Sequence, residues 1–314
     1  MARIIGFFVG LGFVGVLLFS LVVNGLDYFR NPPEPTAAHE FHKHPRDAEL
    51  PSAGMMGKFD RAQLQRGFQV YKEVCSACHS LKYVSFYQLH DLGYSEAEVK
   101  AIANQWATEV PSINPDTGEA ATRKALVSDR FPSPYANETA ARAANNNALP
   151  PDLSLITEAR EDGPNYVYSL ITGYADQAGY KNDKGEELLK KFPDAATPQG
   201  LYFNPYFANL NIAMPPPLAA DGQVTYADGT VATKDQMAKD IAAFLTWTAE
   251  PTLERRHSAG WAVLLFLAIA TGLAYLSYRN IWAEAKRKVA PRGPLDPENK
   301  ARMDAAKAES GIAG

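Results

Sequence analysis

The feature that most constrains this chain is the run Cys75-Ser-Ala-Cys-His79, in a sequence of 314 residues with only two cysteines. Two thiols at this C-x-x-C-H spacing suit thioether bonds to both vinyl groups of one porphyrin, and the adjacent histidine then supplies a nitrogen to the iron. A dithiol redox pair usually accompanies a βαβ pattern, which we do not find, and a zinc site needs two more ligands. The run therefore predicts one covalent haem c, held by Cys75, Cys78 and His79.

Two apolar runs place the chain at a membrane. The first, Ile4–Val23, is long enough to span a bilayer, and we favour an uncleaved anchor over a removed signal peptide. The second, Trp261–Tyr278, has aromatic residues near its ends and basic residues immediately after it, which favours a membrane span over a buried core helix. The positive-inside rule then puts the C-terminus in the cytoplasm and the intervening residues on the outer face of the membrane, and covalent haem attachment there fits a periplasmic or intermembrane location.

Charge is distributed unevenly along the chain. Residues 279–314 carry eight basic and five acidic side chains, so residues 1–278 hold a net charge of −7 within an overall −4. Outside the tail there is no basic block, so nothing in the sequence indicates nucleic-acid binding. We expect five segments: an N-terminal signal-anchor or signal peptide (1–25), a Pro-rich linker (26–54), a periplasmic haem domain (55–257), a transmembrane helix (258–281) and a cytoplasmic basic tail (282–314).

The pattern of the central segment predicts an all-α fold with long loops. Helical spacing of apolar residues and capping signals predict the helices, and Asp228-Gly229 predicts a small hairpin. The expected helices run from Asp60 to the haem motif, over Asp91–Gln105, Glu138–Asn147 and Tyr166–Gly173, and through Met237–Thr248. Residues 107–135 and 180–200 are expected to be loops.

The second axial ligand decides the chemistry of such a haem. An open iron would suit peroxide or gas chemistry, whereas a second protein ligand makes the iron an electron carrier. Among the methionines, Met214 stands in Asn211-Ile-Ala-Met-Pro-Pro-Pro-Leu218, where three prolines stiffen the loop that would present its sulfur. Met237 fits the apolar face of a helix. His90 and His257 are competing candidates, more readily explained as structural residues.

Several longer segments, in order, resemble the cytochrome c1 family, the haem c subunits of ubiquinol–cytochrome c oxidoreductases (the cytochrome bc1 complex), in an alphaproteobacterial style. They are Tyr71–Ser80, Ala140–Ser154, Gly200–Phe207, Ala213–Pro217 and Phe244–Pro251, followed by the second apolar run. The resemblance covers roughly residues 55–290. This sequence differs from members that have an additional disulfide, since both of its cysteines belong to the haem motif. It also differs from members with a plainly cleavable signal peptide.

The resemblance implies further site residues and a fold. Met214 matches the axial methionine of the family, and the fold would be a class I c-type cytochrome domain with long insertions. Haem contacts would come from Asn145, Pro150 and Pro151, with a carbonyl of the proline pair orienting His79. Arg160 would pair with a propionate and Tyr166 would line the pocket, because a buried carboxylate needs a cationic partner.

The resemblance also implies the role. Electrons would enter from the Rieske iron–sulfur protein and leave to a soluble or membrane-anchored c-type cytochrome, while quinol oxidation belongs to the cytochrome b partner. The chain itself would catalyse no bond-making step, and the acidity of residues 1–278 would steer a basic cytochrome. Alternatives are an anchored c-type cytochrome that serves an oxidase without cytochrome b, a haem enzyme with open iron, and a purely structural membrane subunit.

Overall fold

The computed structural model of the protein describes residues 2–32, 34–288 and 297–309. The chain divides into two compact units, Met1–Pro251 and Thr252–Gly314. The predicted cytoplasmic tail at 282–314 lies partly outside the described residues, at 289–296 and 310–314.

The first unit is mostly helical, and the predicted all-α class is confirmed. Its α-helices are α1 (Ala2–Arg30), α2 (Ala37–Phe41), α3 (Arg61–Glu73), α4 (Glu96–Asn104), α5 (Glu138–Ala144), α6 (Ile156–Ala159), α7 (Gly163–Thr172), α8 (Leu188–Lys191) and α9 (Lys234–Ala249). Short 3-10 helices cover Cys75–Ala77, Phe86–Leu92 and Pro193–Ala195. Two antiparallel strand pairs complete the unit: β1 (Val110–Ile113) with β2 (Ala120–Arg123), and β3 (Tyr202–Phe203) with β4 (Asn211–Ile212).

Helices α3 and α9 pack against each other at the centre of this unit. Helix α3 begins where the Asp60 carboxylate accepts hydrogen bonds from the amides of Ala62 and Gln63, as its N-cap signal predicts. Gly67 allows the close crossing, because a Cβ there would lie 2.1 Å from the carbonyl oxygen of Asp240 on α9. Local sequence thus determines where α3 begins and how closely it packs on α9, and this helix leads directly into the haem motif.

Aromatic side chains fill the core around this crossing. Phe68 and Tyr71 of α3 lie 5.7 and 5.8 Å, ring centre to ring centre, from Phe244 of α9. Trp106 stacks on both α3 rings, at 6.4 and 6.3 Å. Offset and edge-to-face rings add to the stabilisation from area burial, so this cluster holds the end of α3 rigidly.

A satellite core lies outside the central crossing. Four buried residues, Phe41, Leu188, Phe203 and Leu210, form it, and the side chains packed against them are Ala37, Tyr180, Phe192 and Ala195. It joins the segment before residue 50 to the segment between α7 and β4. Residues 26–54 were expected to form a linker and residues 180–200 a surface loop; the structure differs there because Phe41 and Leu188 bury their side chains in this core.

Several element boundaries differ from the predictions. Helix α4 begins at Glu96 rather than at Asp91, directly after its N-cap residue Ser95, which forms a capping box with Glu98. Helix α5 ends at Ala144 because Asn146 and Asn147 have positive φ angles. Residues 107–135 contain the β1–β2 hairpin.

The hairpin predicted over Val224–Val231 is wrong. The described chain forms turns there, with Gly229 at φ +78°. The Asp228 carboxylate accepts hydrogen bonds from Arg66 and from the amide of Thr230. Side-chain bonding to α3 therefore replaces strand pairing.

The second unit contains α10 (Leu253–Lys288) and α11 (Pro297–Glu309). Helix α10 starts at Leu253, five residues before the expected start of the membrane span at residue 258. Two described segments are long and apolar enough to cross a membrane: Ile4–Arg30 in α1, with mean hydropathy 2.5, and Leu253–Ala283 in α10, with mean hydropathy 2.0. The two apolar runs of the sequence lie within them, which fits a membrane-anchored protein.

Candidate haem site

The two thiols and the imidazole of the motif lie on one tight turn after α3. The amides of Cys78 and His79 both donate to the carbonyl of Cys75, at 3.1 and 2.9 Å. Both cysteines are half-buried free thiols. Burial, reinforced by the neighbouring Cys78 sulfur, raises the pKa of Cys75 to about 12. This local structure presents both sulfurs and the imidazole from a segment of five residues, which suits attachment to a single ligand.

The His79 ring is held in one tautomer. Its Nδ1 lies 2.8 Å from the carbonyl oxygen of Pro151, and since a carbonyl only accepts, this hydrogen bond assigns the proton to Nδ1. The Nε2 lone pair is then available to a metal. Burial lowers the pKa of His79, against the opposing effects of the Pro151 bond and of Asp152, so the ring favours its neutral form. Neutral, oriented imidazole is the form that binds metal ions.

Asp152 ties the segment that carries the Pro151 carbonyl to the segment after His79. Its carboxylate accepts hydrogen bonds from the Ser80 hydroxyl at 2.7 Å, the Lys82 amide at 2.8 Å and the Ser154 amide at 3.0 Å. Sequence reasoning did not single out Asp152. The available signal was a carboxylate directly after two prolines, which have no amide hydrogen to hold their own segment.

Asn145 connects α5 to the haem motif through a tyrosine. Its side-chain amide donates to the Tyr135 hydroxyl at 2.9 Å and to the Ala141 carbonyl at 2.7 Å. Asn145 lowers the pKa of Tyr135, but burial and the neighbouring Cys78 thiol outweigh it and raise that pKa overall. Tyr135 was expected only to lie in a loop, so the structure adds it to the site.

Arg160, Tyr166 and Met214 belong to a second group of contacts. Arg160 is exposed at the end of α6 and close enough to Tyr166 on α7 to affect its pKa. Burial raises the pKa of Tyr166, and Arg160 opposes that rise. Burial, with a smaller contribution from nearby Tyr166, also raises the pKa of Tyr174, whose hydroxyl donates a 3.0 Å hydrogen bond to the carbonyl of Met214. Met214 itself is half-buried in the loop after β4.

The remaining candidate ligands have different surroundings. His90 Nδ1 lies 2.9 Å from the Tyr94 carbonyl, and His257 is on α10. Met237 is fully buried on α9, as its position on an apolar face predicts. Within the described ranges, no three His, Cys, Asp or Glu side chains form a group that could hold a metal ion.

The residues present fit a haem. An oriented imidazole with a free Nε2, two thiols on the same turn and a thioether in a proline-rich loop are the types of donor that a c-type haem takes. Large apolar side chains on the neighbouring segments are partly exposed: Leu149 at 36%, Tyr202 at 41% and Leu155 at 45%. Contact with an apolar macrocycle would remove such surface from water.

Comparison with known proteins identifies the family. The Cytochrome C1 family matches residues 50–285. A protein named cytochrome c1 from Rhodospirillum rubrum is 46% identical over 237 residues, which cover 74% of this chain and 85% of that protein. The mitochondrial haem protein cytochrome c1-2 of Solanum tuberosum is 44% identical over 240 residues, covering 76% and 85% of the two chains.

A third relative has a composite name. The cytochrome b/c1 of Bradyrhizobium diazoefficiens is 42% identical over 280 residues, which cover 87% of this chain but 40% of that protein. The family match and the full-length relatives agree with the resemblance that the sequence segments indicate. The chain belongs to the cytochrome c1 family, the haem subunits of the cytochrome bc1 complex.

Proposed function

We propose that this chain carries one covalent haem c, bound through thioethers from Cys75 and Cys78, with His79 and Met214 as the axial ligands. The observation that carries the proposal is the hydrogen bond from His79 Nδ1 to the Pro151 carbonyl, because it leaves Nε2 as the only ring nitrogen able to bind iron. The bound haem would supply a one-electron couple between ferric and ferrous iron. The residues of the chain would hold the haem, orient the side chains that bind the iron and keep water from the metal.

A methionine sulfur is the second ligand that best suits an electron carrier. It is a weak donor that favours ferrous iron, so His/Met ligation gives a higher potential than two histidines. The three prolines that follow Met214 restrict the loop and favour a fixed sulfur position. A closed, low-spin iron supports electron transfer rather than peroxide chemistry.

The other site residues would contact the porphyrin. Arg160, which is exposed beside Tyr166, has the charge to pair with a propionate, and Tyr166 would line the pocket. Asn145, Pro150 and Pro151 would border the haem on the His79 side, supported by the contacts with Tyr135 and Cys78.

The proposed partners follow from membership of the bc1 family. Cytochrome b is the first, and the composite name of the Bradyrhizobium relative supports it. Electrons would enter from the Rieske iron–sulfur protein and leave to a c-type cytochrome. A net charge of −7 over residues 1–278 favours a basic acceptor.

The proposed topology puts the haem domain on the periplasmic side of the inner membrane. Helix α10 would cross the lipid bilayer and leave the C-terminus in the cytoplasm, because basic residues follow its apolar part from Arg279 onward. Helix α1 would be either a second anchor or a signal peptide that is removed.

Two methionine variants test the axial ligand in the full-length, membrane-purified protein. Met214→Leu should convert the ferric haem from low to high spin, abolish the weak red band of methionine-ligated ferric haem and lower the reduction potential. Met237→Leu is the matched control, since that buried core residue should tolerate a swap of similar volume without spectral change. If the Met214 variant keeps the red band and the low-spin spectrum, the assignment is wrong.

A further inference from the structure

The loop that contains Met214 has few ways to hold itself in place. Pro215, Pro216 and Pro217 lack amide hydrogens, so this stretch cannot donate backbone hydrogen bonds. Proline limits φ at each of these residues, but it does not fix the position of the whole loop relative to the rest of the unit. The loop is instead anchored by hydrogen bonds to its carbonyl groups.

Two such carbonyl contacts are present. The side-chain amide of Gln223 donates to the Pro217 carbonyl at 2.9 Å, and the Tyr174 hydroxyl donates to the Met214 carbonyl at 3.0 Å. The Gln223 contact is local, six residues along the chain. The Tyr174 contact spans 40 residues and acts on the very residue whose sulfur is the proposed ligand.

Tyr174 is itself well placed to serve as a fixed donor. It follows Gly173 at the end of α7, and Gly173 packs so closely on Tyr206 that a Cβ would lie 2.3 Å from that ring. A tyrosine hydroxyl is protonated at physiological pH and can therefore donate this hydrogen bond. Helix α7 also packs on α9, so the tyrosine extends from the central core.

We propose that Tyr174 is a positioning residue for the axial methionine: its hydroxyl, by fixing the Met214 carbonyl, holds the thioether sulfur within reach of the iron. This inference rests on the proposed function, because it requires Met214 to be the ligand. Tyr174 does not touch the iron in this role. Its effect is to raise the fraction of molecules in which the methionine is bound.

The consequence is measurable as competition with an added ligand. Removing the hydroxyl frees the loop, the methionine dissociates more often, and exogenous imidazole gains access to ferric iron. The loss of one hydrogen bond between a neutral donor and a carbonyl predicts a rise in apparent imidazole affinity of about fivefold to tenfold.

The test is an optical imidazole titration of the ferric, full-length protein as Tyr174→Phe. The variant should bind imidazole about fivefold to tenfold more tightly than the wild type and should lose the red methionine band at a lower temperature. Because both signals come from attached haem, they can be read in purified membranes even where the variant accumulates poorly.

Tyr168→Phe is the matched control. Tyr168 lies on the same helix, α7, and its hydroxyl donates to the Asp235 carboxylate, so this variant also loses a partly buried tyrosine hydrogen bond. It should lower stability and leave the imidazole affinity unchanged. Equal imidazole affinities in the Tyr174 and Tyr168 variants would overturn the positioning role.

Met214→Leu separates this inference from the proposal on which it depends. If Met214→Leu becomes high-spin while Tyr174→Phe titrates like the wild type, Met214 is the ligand and Tyr174 does not position it. If Met214→Leu keeps the wild-type spectrum, the ligand assignment fails and the positioning role fails with it. The inference requires both a high-spin Met214→Leu and a Tyr174→Phe that binds imidazole more tightly than the wild type.

Discussion

His79 Nδ1 lies 2.8 Å from the carbonyl oxygen of Pro151, a residue 72 positions away in the chain. The Pro151 carbonyl can only accept a hydrogen bond, so the ring nitrogen that faces it must carry the proton. The bond sets the tautomer and the orientation of the ring together, the usual support of a metal-binding histidine. The carbonyl depends in turn on Asp152, which leads to the first prediction.

We predict that Asp152→Ala loosens the support of His79. The change removes the acceptor for Ser80, Lys82 and Ser154, and the loss of these partly buried bonds should reduce the free energy of unfolding by about 2 kcal/mol or more. Denaturant unfolding of the full-length protein in detergent, followed by haem absorption, measures this. Asp183→Ala, at a carboxylate that is 95% exposed, is the control and should change the midpoint little. Equal midpoints for the two variants would contradict the predicted role.

We predict a large loss of stability for Arg66→Leu. Arg66 on α3 donates to the fully buried carboxylate of Asp240 on α9 at 3.0 Å and to Asp228 at 2.8 Å. Removing the cation leaves Asp240 buried without its charge partner, which should cost about 3 kcal/mol. The same unfolding measurement applies. Lys43→Ala, which removes an exposed pair with Asp183 at 3.9 Å, should cost less than about 1 kcal/mol. If Arg66→Leu lowers the free energy of unfolding as little as Lys43→Ala does, the Arg66–Asp240 ion pair makes no net contribution to stability.

We predict that Asp129 contributes an acid-sensitive part of the stability. The Arg123 guanidinium and the Leu126 amide hold the pKa of Asp129 below its usual range of about 4. A depressed pKa in the folded state stabilises the protein above the unfolded value, and this stabilisation disappears as pH falls through the folded value. The unfolding midpoint of Asp129→Asn should therefore change less between about pH 5 and pH 3 than that of the wild type.

The control for that pH series is Asp116→Asn, which changes an exposed carboxylate between β1 and β2. It should keep the wild-type pH dependence. If Asp129→Asn and the wild type lose stability in parallel as the pH falls, the Arg123 contact does not contribute.

We predict that electron exit depends on ionic strength. A net charge of −7 over residues 1–278 should attract a basic cytochrome, and salt should screen that attraction. The second-order rate of cytochrome c reduction should fall roughly tenfold between low and physiological ionic strength. Reduction of a small neutral oxidant is the control and should be nearly independent of salt. A flat dependence for cytochrome c would contradict electrostatic docking.

The parts of the fold that depend on local sequence were predicted well. The cap at Asp60, the capping box at Ser95 and the apolar face around Met237 each depend on residues within a few turns of one helix, and each is confirmed. Met237 was assigned to the core for the same reason. The C-x-x-C-H motif is equally local, since the turn itself brings its sulfurs and imidazole together.

The remainder depends on contacts between distant segments. Asp152 and Tyr174 gain their roles from hydrogen bonds to residues far away in the chain, and Tyr135 gains its role from nearby Cys78; no pattern within their own segments indicates those partners. The satellite core around Phe41 could not be predicted for the same reason. At Asp228 the predicted turn forms, but its flanks do not pair as strands, and Asp228 bonds to the distant Arg66 instead.

The decisive experiment is a reduced-minus-oxidised spectrum of the full-length protein, purified gently from its own membranes and then treated with quinol. We expect haem b bands beside the haem c band, together with reduction of the haem c by quinol. Haem c alone, persisting under milder detergents and unreduced by quinol, would contradict it and favour an anchored cytochrome that works without cytochrome b.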